Sequence, residues 1–246
     1  MIFVAGLPRS GTSLVHFLIG AHPRCVALGE VWGLISSARE IARASEVHCS
    51  CINGKTPLPM CPFWGPLLPV LRGDGDYSPV LARVREVYGD RILVDSSKNL
   101  AVAQRGAKIL YVIRDVRAWA TSTDRASIRG FLGWHRSNVS RIQALEDREW
   151  LLVSYDELSL APMPSMRRIC EFLELPFTED LFEFGRGAHH AVKCNYAMKS
   201  NPRRMAGIEY DNRWFRSTDW QVPSLLLPHV MKFNREHVYG LVDTAF

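Results

Sequence analysis

Two stretches of the chain carry the residue types that hold phosphate groups. Residues 6–13 (GLPRSGTS) have glycines at positions 6 and 11, an arginine at position 9, and hydroxyls at positions 10, 12 and 13. Glycines permit tight turns in which backbone N–H groups converge on an anion, and hydroxyls add further donors. In the second stretch Arg114 follows an apolar run and Ser122 stands further along. An arginine can pair bidentately with a phosphate, so the second stretch could also bind an anionic group, although an Arg-Asp pair after a strand is, taken alone, usually a structural ion pair.

The first stretch differs from the triphosphate-binding loop G-x-x-x-x-G-K-[ST] in the place of its cation. Gly6 and Gly11 have the required separation and Ser13 stands at the hydroxyl position, but Thr12 occupies the place of the lysine. That lysine is the group that reaches the β and γ phosphates, so its absence argues against ATP or GTP hydrolysis. Taken alone, the stretch could also be a chance glycine turn.

Strands and helices alternate around both stretches. Residues 2–5 and 108–113 are apolar runs typical of buried strands, and residues 14–21 and 116–127 continue at helical spacing. This alternation predicts an α/β fold with a central parallel sheet of about four or five strands between helices. Ligands of such sheets bind beyond the carboxyl ends of the strands, where both polar stretches are expected to lie.

The two stretches resemble the donor-binding motifs of sulfotransferases that use 3′-phosphoadenosine 5′-phosphosulfate (PAPS). Residues 6–14 (GLPRSGTSL) resemble the loop that binds the 5′-phosphosulfate, and residues 113–122 (IRDVRAWATS) resemble the motif that binds the 3′-phosphate. The pair Gly29 and Glu30 resembles a pair in tyrosylprotein-type and related bacterial sulfotransferases, where the glutamate is the proposed catalytic base. The resemblance is strong over the two donor motifs and weak over the rest of the chain.

The resemblance implies a P-loop-NTPase-like, three-layer α/β/α fold and direct in-line transfer of a sulfonate group. The donor would be PAPS, the product adenosine 3′,5′-bisphosphate, and the acceptor a hydroxyl or amine of a small molecule or peptide, with no metal required. Glu30 would be the general base and Lys98 would offset charge during transfer, while Arg9, counted with them as catalytic, would hold the 5′-phosphosulfate together with the loop amides. The donor-binding candidates are Pro8, Arg9, Ser10, Gly11, Thr12, Ser13, Arg114, Ser122, Arg203 and Arg204. For Glu30 and for Lys98, an exposed turn residue without a catalytic role is the alternative.

The segment 189–204 lies where related enzymes have a loop that covers the donor nucleotide. Its sequence at positions 193–196 (KCNY) lacks the glycine and proline of the family's Gly-Asn-Pro-like pattern. Which basic residue of residues 193–204 contacts the donor is therefore open. Residues 211–214 (DNRW) resemble the Asp-x-x-Trp that follows in the same family.

Two other functions are compatible with this fold. A P-loop kinase-like phosphotransferase predicts Mg²⁺ dependence and triphosphate binding, against which the missing loop lysine argues. A catalytically inactive nucleotide-binding module predicts donor binding without turnover, against which the presence of Glu30 argues.

Residues 49–76 are rich in proline and glycine and predict an irregular insertion, which could form the acceptor-side wall or a lid. The preceding residues 31–47 are expected to form one helix, with Trp32 either in the acceptor pocket or in the core. The insertion contains Cys49, Cys51 and Cys61. Cys-x-Cys is not the usual spacing of zinc ligands, so we favour ordinary thiols over zinc and assign no metal ligand, but whether these cysteines bind a metal is open.

Composition limits the remaining possibilities. The 246 residues, 47% hydrophobic and 22% charged, predict one globular domain over residues 1–246. The net charge of +5 suits an anionic small ligand, and no basic stripe or tail favours nucleic acid. No apolar run is long enough to cross a membrane, and no secretory signal precedes the first strand, so we expect a cytoplasmic protein. The oligomeric state and the identity of the acceptor are open.

Overall fold

The structure is a computed structural model that describes residues 1–51, 55–103, 106–186, 189–195 and 207–241. Its central sheet is parallel and has five strands in the order β2-β5-β1-β6-β7, and a separate two-stranded hairpin pairs β3 with β4. The strands are β1 (Ile2–Gly6), β2 (Cys25–Gly29), β3 (His48–Cys49), β4 (Thr56–Pro57), β5 (Ile92–Asp95), β6 (Lys108–Ile113) and β7 (Trp150–Ser154).

The helices follow the strands in the alternation that the sequence predicts. No helix among the residues placed in the structure is both long enough and apolar enough to cross a bilayer. The α-helices are α1 (Thr12–Gly20), α2 (Val31–Ile35), α3 (Ala38–Ala42), α4 (Ser78–Tyr88), α5 (Val116–Ser122), α6 (Ile128–Gln143), α7 (Tyr155–Leu160), α8 (Pro162–Leu173), α9 (Gln221–Leu226) and α10 (Pro228–Val238). Short 3₁₀ segments lie at Ala44–Glu46, Leu58–Met60, Gly65–Val70, Leu100–Val102, Glu179–Arg186 and Arg213–Arg216.

The central strands are buried along their whole length. Every residue of β1 is buried, as is every residue of β6 except Lys108 at its start. Near-continuous apolar strands are typical of parallel sheets covered on both faces, because their side chains cannot reach water on either side. The predicted α/β fold with about five parallel strands is therefore confirmed.

The chain forms two compact units. The first comprises Met1–Val4, Ser13–Ala107 and Thr178–Ile208, and the second comprises Ala5–Thr12, Lys108–Phe177 and Glu209–Phe246. The expectation of a single domain over residues 1–246 stays a prediction.

In the first unit, β2 and β1 each pair in parallel with β5. The expected single helix over residues 31–47 is wrong, because the chain breaks at two serines. Ser36 donates its hydroxyl to the Trp32 carbonyl at 2.6 Å, and Ser37 accepts from the Glu40 amide at 3.3 Å as the N-cap of α3. Serine side chains compete with the backbone for hydrogen bonds, so they end one helix and begin the next.

In the second unit, β6 and β7 pair in parallel and the chain turns into α5 at Asp115. The Asp115 carboxylate is fully buried and caps α5 by accepting from the Arg117 amide at 2.8 Å. It also accepts hydrogen bonds from the Asn234 amide group and the Tyr239 hydroxyl, both at 2.9 Å. These bonds fix the start of α5, and with it the position of Arg114.

Candidate functional site

The loop between β1 and α1 contains a buried polar atom to which no described residue offers a hydrogen bond. Ser10 is 0% exposed, and its hydroxyl has no hydrogen-bond partner among the described residues. A buried hydroxyl without a partner costs free energy, which a bound ligand can recover. Thr12 is also buried and begins α1, so the helix N-terminus points its free N–H groups at the same loop.

The backbone of this loop is held in an uncommon conformation. Gly11 has a φ of +95°, and a Cβ at this position would lie 2.4 Å from the Tyr155 ring, so the position requires glycine. Arg9 has a φ of +71° although it carries a side chain. Left-handed backbone at a non-glycine residue costs free energy and is concentrated at functional sites. The Arg9 side chain itself is exposed.

Arg114 follows β6 and contacts the loop directly. Its Nη1 donates to the Arg9 carbonyl at 3.2 Å, and its guanidinium lies 4.7 Å from the centre of the Tyr155 ring. The residue is 5% exposed, and its Nε has no hydrogen-bond partner within the described part of the chain. The two predicted anion-binding stretches therefore meet in the second unit, and each has a buried polar atom that makes no hydrogen bond to the described residues.

The remaining donor group of Arg114 is held by a carboxylate. Its Nη2 donates to Asp211 Oδ2 at 3.0 Å, and Arg213 donates to both oxygens of the same carboxylate at 2.7 Å. Hydrogen bonds from Arg213 and then from Arg114 hold the pKa of Asp211 well below its usual range. Asp211 thus presents negative charge to the arginine that is predicted to bind the 3′-phosphate. Sequence reasoning assigned no role to this contact.

One further contact joins the loop to α5, and a second lies within the helix. Trp119 donates its indole N–H to the Pro8 carbonyl at 2.9 Å. Ser122 is the last residue of α5, and its hydroxyl donates to the Trp119 carbonyl at 2.9 Å. Ser122 makes no direct hydrogen bond to Arg114 in the described structure, so its predicted role in phosphate binding requires its hydroxyl to rotate away from the helix backbone. That role stays a prediction.

In the first unit, Glu30 and Lys98 form an ion pair, with Lys98 Nζ donating to Glu30 Oε1. Their side chains are 24% and 21% exposed, so both are partly shielded from water. Glu30 directly follows β2, and Lys98 lies just beyond β5. Because β2 and β5 are parallel neighbours, residues past their carboxyl ends come together. The structure therefore brings together the two residues predicted to act as base and cation.

A buried hydrogen-bond network supports the turn that carries Lys98. Asp95 is fully buried and accepts from the Tyr77 hydroxyl at 2.5 Å and from the Ser97 amide at 2.8 Å. Ser97 in turn accepts from the Trp32 amide at 2.9 Å. Burial raises the pKa of Asp95 to about 6, against the hydrogen bonds from Ser97 and Tyr77. Lys98 has a φ of +62°, which this network helps to maintain.

The backbone that carries Glu30 is held by two neighbours. One is a buried histidine, and the other is a segment that pairs with the end of β2. His16 Nε2 accepts from the Gly29 amide at 2.9 Å, and burial lowers the pKa of His16 to about 3. The Glu30 amide donates to the Val192 carbonyl at 2.9 Å. A Cβ on Gly29 would lie 2.2 Å from Val192 O, so only glycine permits this close approach.

The described part of the 189–204 segment lies along β2. Lys193 donates to the Gly33 carbonyl at 2.9 Å and pairs with Glu40, so its ammonium is engaged by protein groups. The Asn195 amide donates to the Ser13 hydroxyl at 3.4 Å. Arg203 and Arg204, the predicted donor contacts of this segment, lie outside the described residues.

Two family models match separate parts of the chain. The Sulfotransferase family model matches residues 2–51, which include the loop and Glu30. The Sulfotransferase domain model matches residues 126–202.

Curated relatives of the chain carry the same kind of name. The chain is 28% identical over 199 residues to protein-tyrosine sulfotransferase A of Caenorhabditis elegans, covering 72% of this chain and 50% of the relative. It is 28% identical over 204 residues to protein-tyrosine sulfotransferase 1 of Danio rerio, covering 73% and 54%. The chain thus spans about half the length of the curated relatives it matches.

Among solved structures, the sulfotransferase domain of the Synechococcus PCC 7002 olefin synthase has the same fold. Its TM-score is 0.61 at 17% identity, and the match covers 98% of this chain and 95% of that domain. At this level of identity the likeness bears on the fold alone.

Proposed function

We propose that the chain transfers a sulfonate group from PAPS to a hydroxyl or amine of a small molecule or peptide, because two sulfotransferase family models and relatives named as sulfotransferases match it. The observation that carries this proposal is the contact between Arg114 Nη1 and the Arg9 carbonyl at 3.2 Å. It joins two phosphate-binding motifs that lie 105 residues apart in the chain. PAPS carries phosphate-type groups at two positions, so a site for it needs two such motifs.

In this proposal the loop amides, Ser10 and Arg9 hold the 5′-phosphosulfate. Arg114 holds the 3′-phosphate, through the buried Nε that lacks a described partner and through the Nη2 that Asp211 now occupies. Ser122 adds a hydroxyl donor after its side chain turns from the helix. These groups fix the donor by placement and electrostatics, which supply most of the rate in such transfers.

The ion pair performs two roles in one step. The acceptor oxygen or nitrogen forms a bond to sulfur while the bond from sulfur to the bridging phosphate oxygen breaks, and Glu30 takes the acceptor proton. Protonation removes the charge of Glu30 and with it the attraction that holds Lys98. The ammonium can then interact with the negative charge that grows on the leaving phosphate. The products are the sulfonated acceptor and adenosine 3′,5′-bisphosphate.

The kinase-like alternative is weaker, because Thr12 replaces the lysine that would reach the β and γ phosphates. The names of the relatives make a tyrosine-containing peptide the first acceptor to test. The cytoplasmic location expected from the sequence stays a prediction.

The proposal is tested by offering the protein two labelled donors with the same pool of tyrosine peptides and phenols. We expect transfer of ³⁵S from PAPS in the presence of a chelator, and no transfer of ³²P from the γ phosphate of ATP with Mg²⁺. Phosphoryl transfer that depends on Mg²⁺ would support the kinase instead. The inactive module is the conclusion if PAPS binds but its sulfonate is never transferred.

A further inference from the structure

Three cysteines and a histidine converge in the first unit, apart from the groups used above. The ligand atoms of Cys49, Cys51, Cys61 and His190 all lie within 4.8 Å of one another. The Cys61 sulfur is 3.5 Å from that of Cys49 and 3.7 Å from that of Cys51. His190 Nδ1 lies 3.2 Å from the Cys61 sulfur and 3.7 Å from the Cys49 sulfur. The four atoms therefore face a common centre.

We propose that these four residues bind one zinc ion. Bonds of about 2.3 Å to sulfur and about 2.0 Å to nitrogen, in a tetrahedron, put sulfurs ~3.8 Å apart and sulfur and nitrogen ~3.6 Å apart. The four separations that involve Cys61, or that join Cys49 to His190, are 3.2 to 3.7 Å and lie close to those edges, and all six separations are within 4.8 Å. Three thiolates and an imidazole are a donor set typical of structural zinc, and soft sulfur ligands disfavour Mg²⁺ and Ca²⁺.

The surroundings of the sulfurs also suit a metal site. The Cys51 amide donates to the Cys49 sulfur and the Trp64 amide to the Cys61 sulfur, both at 3.5 Å. Backbone donors of this kind stabilise thiolates and orient them toward an ion. The His190 ring stacks on Phe63 at 5.6 Å, which fixes its orientation.

Neither a disulfide nor simple packing explains this arrangement as well. The sulfurs lie 3.5 to 3.7 Å apart and all three thiols are free, whereas a disulfide needs about 2.05 Å. One disulfide would also not explain why the third thiol and the imidazole lie beside the other two sulfurs. Cys49 and Cys61 are 0% exposed, and Cys51 and His190 are half-buried, so two of the four ligands are fully shielded from water. Four protein ligands leave no open position for chemistry, so the ion would be structural.

The zinc ion would join the insertion at residues 49–76 to residues 190–192, which hold the backbone of Glu30, the proposed base. Ser50, between two of the ligands, donates its amide to the Ala191 carbonyl at 3.0 Å and its hydroxyl to the His189 carbonyl at 2.9 Å. Val192, two residues after His190, accepts from the Glu30 amide. The zinc therefore fastens the backbone that positions Glu30, and its binding free energy adds to folding stability. This inference does not depend on the proposed function.

The direct test is the metal content of the full chain, purified from zinc-supplied cells after removal of any histidine tag. We expect elemental mass spectrometry to find close to one zinc per chain. Cys61→Ser and His190→Ala should lose most of it, while Cys170→Ala should keep it. Cys170 is the matched control, because it is also buried but lies in α8, away from the cluster.

Spectroscopy keeps the proposal testable if the variants fail to fold. Unaltered protein exchanged with Co²⁺ should show thiolate-to-cobalt charge transfer and the strong visible bands of a tetrahedral site. Three results would overturn the proposal. They are folded wild-type protein without zinc, a disulfide between Cys49 and Cys61 found by mass spectrometry, and Co²⁺ bound without thiolate charge transfer. Full zinc content in both Cys61→Ser and His190→Ala would also overturn it.

Discussion

Lys98 forms an ion pair with Glu30, although 68 positions separate the two residues in the chain. Each residue lies just beyond the carboxyl end of a strand, and the two strands, β2 and β5, are direct neighbours in the sheet. The backbone around the pair is fixed by hydrogen bonds from Gly29 to His16 and from Glu30 to Val192. The pair is therefore a positioned feature rather than a chance surface contact.

Glu30→Gln should retain the binding of adenosine 3′,5′-bisphosphate and lose transfer. Glutamine keeps the shape of the side chain but cannot accept the proton, and loss of a general base costs roughly 10² to 10⁴ in rate. The measurement is the rate of ³⁵S transfer at saturating PAPS, beside calorimetry of product binding. Lys98→Met should lower the same rate, because no ammonium then meets the leaving phosphate.

Glu46→Gln is the matched control, since Glu46 forms an exposed ion pair with Arg43 elsewhere in the first unit. It should leave both transfer and binding unchanged. Full activity in Glu30→Gln would remove the assignment of Glu30 as the base.

The elements of the site could be predicted from the sequence, but the contacts between them could not. The loop at residues 6–13 and the strand before Arg114 are local patterns of glycine and apolar residues, and both are found where expected. Strand order is set by packing over the whole sheet, so the proximity of Glu30 to Lys98 was not visible. The contact of Arg114 with Asp211 spans 97 positions, and that of Cys61 with His190 spans 129. No local pattern encodes pairs so far apart.

Gly11→Ala should destabilise the protein and abolish nucleotide binding. Its φ of +95° disfavours any side chain, and the added Cβ would lie 2.4 Å from the Tyr155 ring. We expect a loss of about 1–3 kcal/mol in the free energy of unfolding. Gly133→Ala is the control: it lies in α6 with nothing within 4 Å of the added Cβ, so it should be neutral or stabilise by up to about 1 kcal/mol. Equal stability of the two variants in urea titrations would show that the loop tolerates a side chain.

Asp211→Asn should tighten the binding of adenosine 3′,5′-bisphosphate several-fold. The variant removes a negative charge that competes for Arg114, while the Arg9 carbonyl and the Tyr155 ring still hold the guanidinium. Calorimetry at low and high salt measures the effect, and Asp219→Asn, an exposed aspartate of the same unit, is the control. Weaker binding in Asp211→Asn would mean that the carboxylate orients Arg114 rather than competing with phosphate.

His16→Gln should make the stability of the protein less sensitive to acid. Burial lowers the pKa of His16 from its ordinary value of 6.5 to about 3 in the folded protein. At a pH between these two values, the histidine is protonated in the unfolded chain but not in the folded one. The free energy of unfolding therefore falls as the pH is lowered, by about 2 kcal/mol between about pH 7.5 and about pH 5. Glutamine can still accept from the Gly29 amide but does not titrate. Urea titrations at both pH values should show a smaller loss in His16→Gln than in wild type.

The exposed His229→Gln serves as the control and should lose as much stability as wild type. The same loss in His16→Gln and wild type would show that His16 is not the residue responsible.

The central claim, that Arg114 and the loop form a site for two phosphate groups, is tested most directly by comparing two nucleotides. Calorimetry should show wild-type protein binding adenosine 3′,5′-bisphosphate at least about tenfold more tightly than adenosine 5′-monophosphate, since a charge-assisted bond contributes about 1.5–3 kcal/mol. Arg114→Ala should bind both nucleotides with similar affinity, because only the 3′-phosphate loses its partner. The account is contradicted if wild-type protein binds the two nucleotides equally, or if Arg114→Ala keeps the full preference for the bisphosphate.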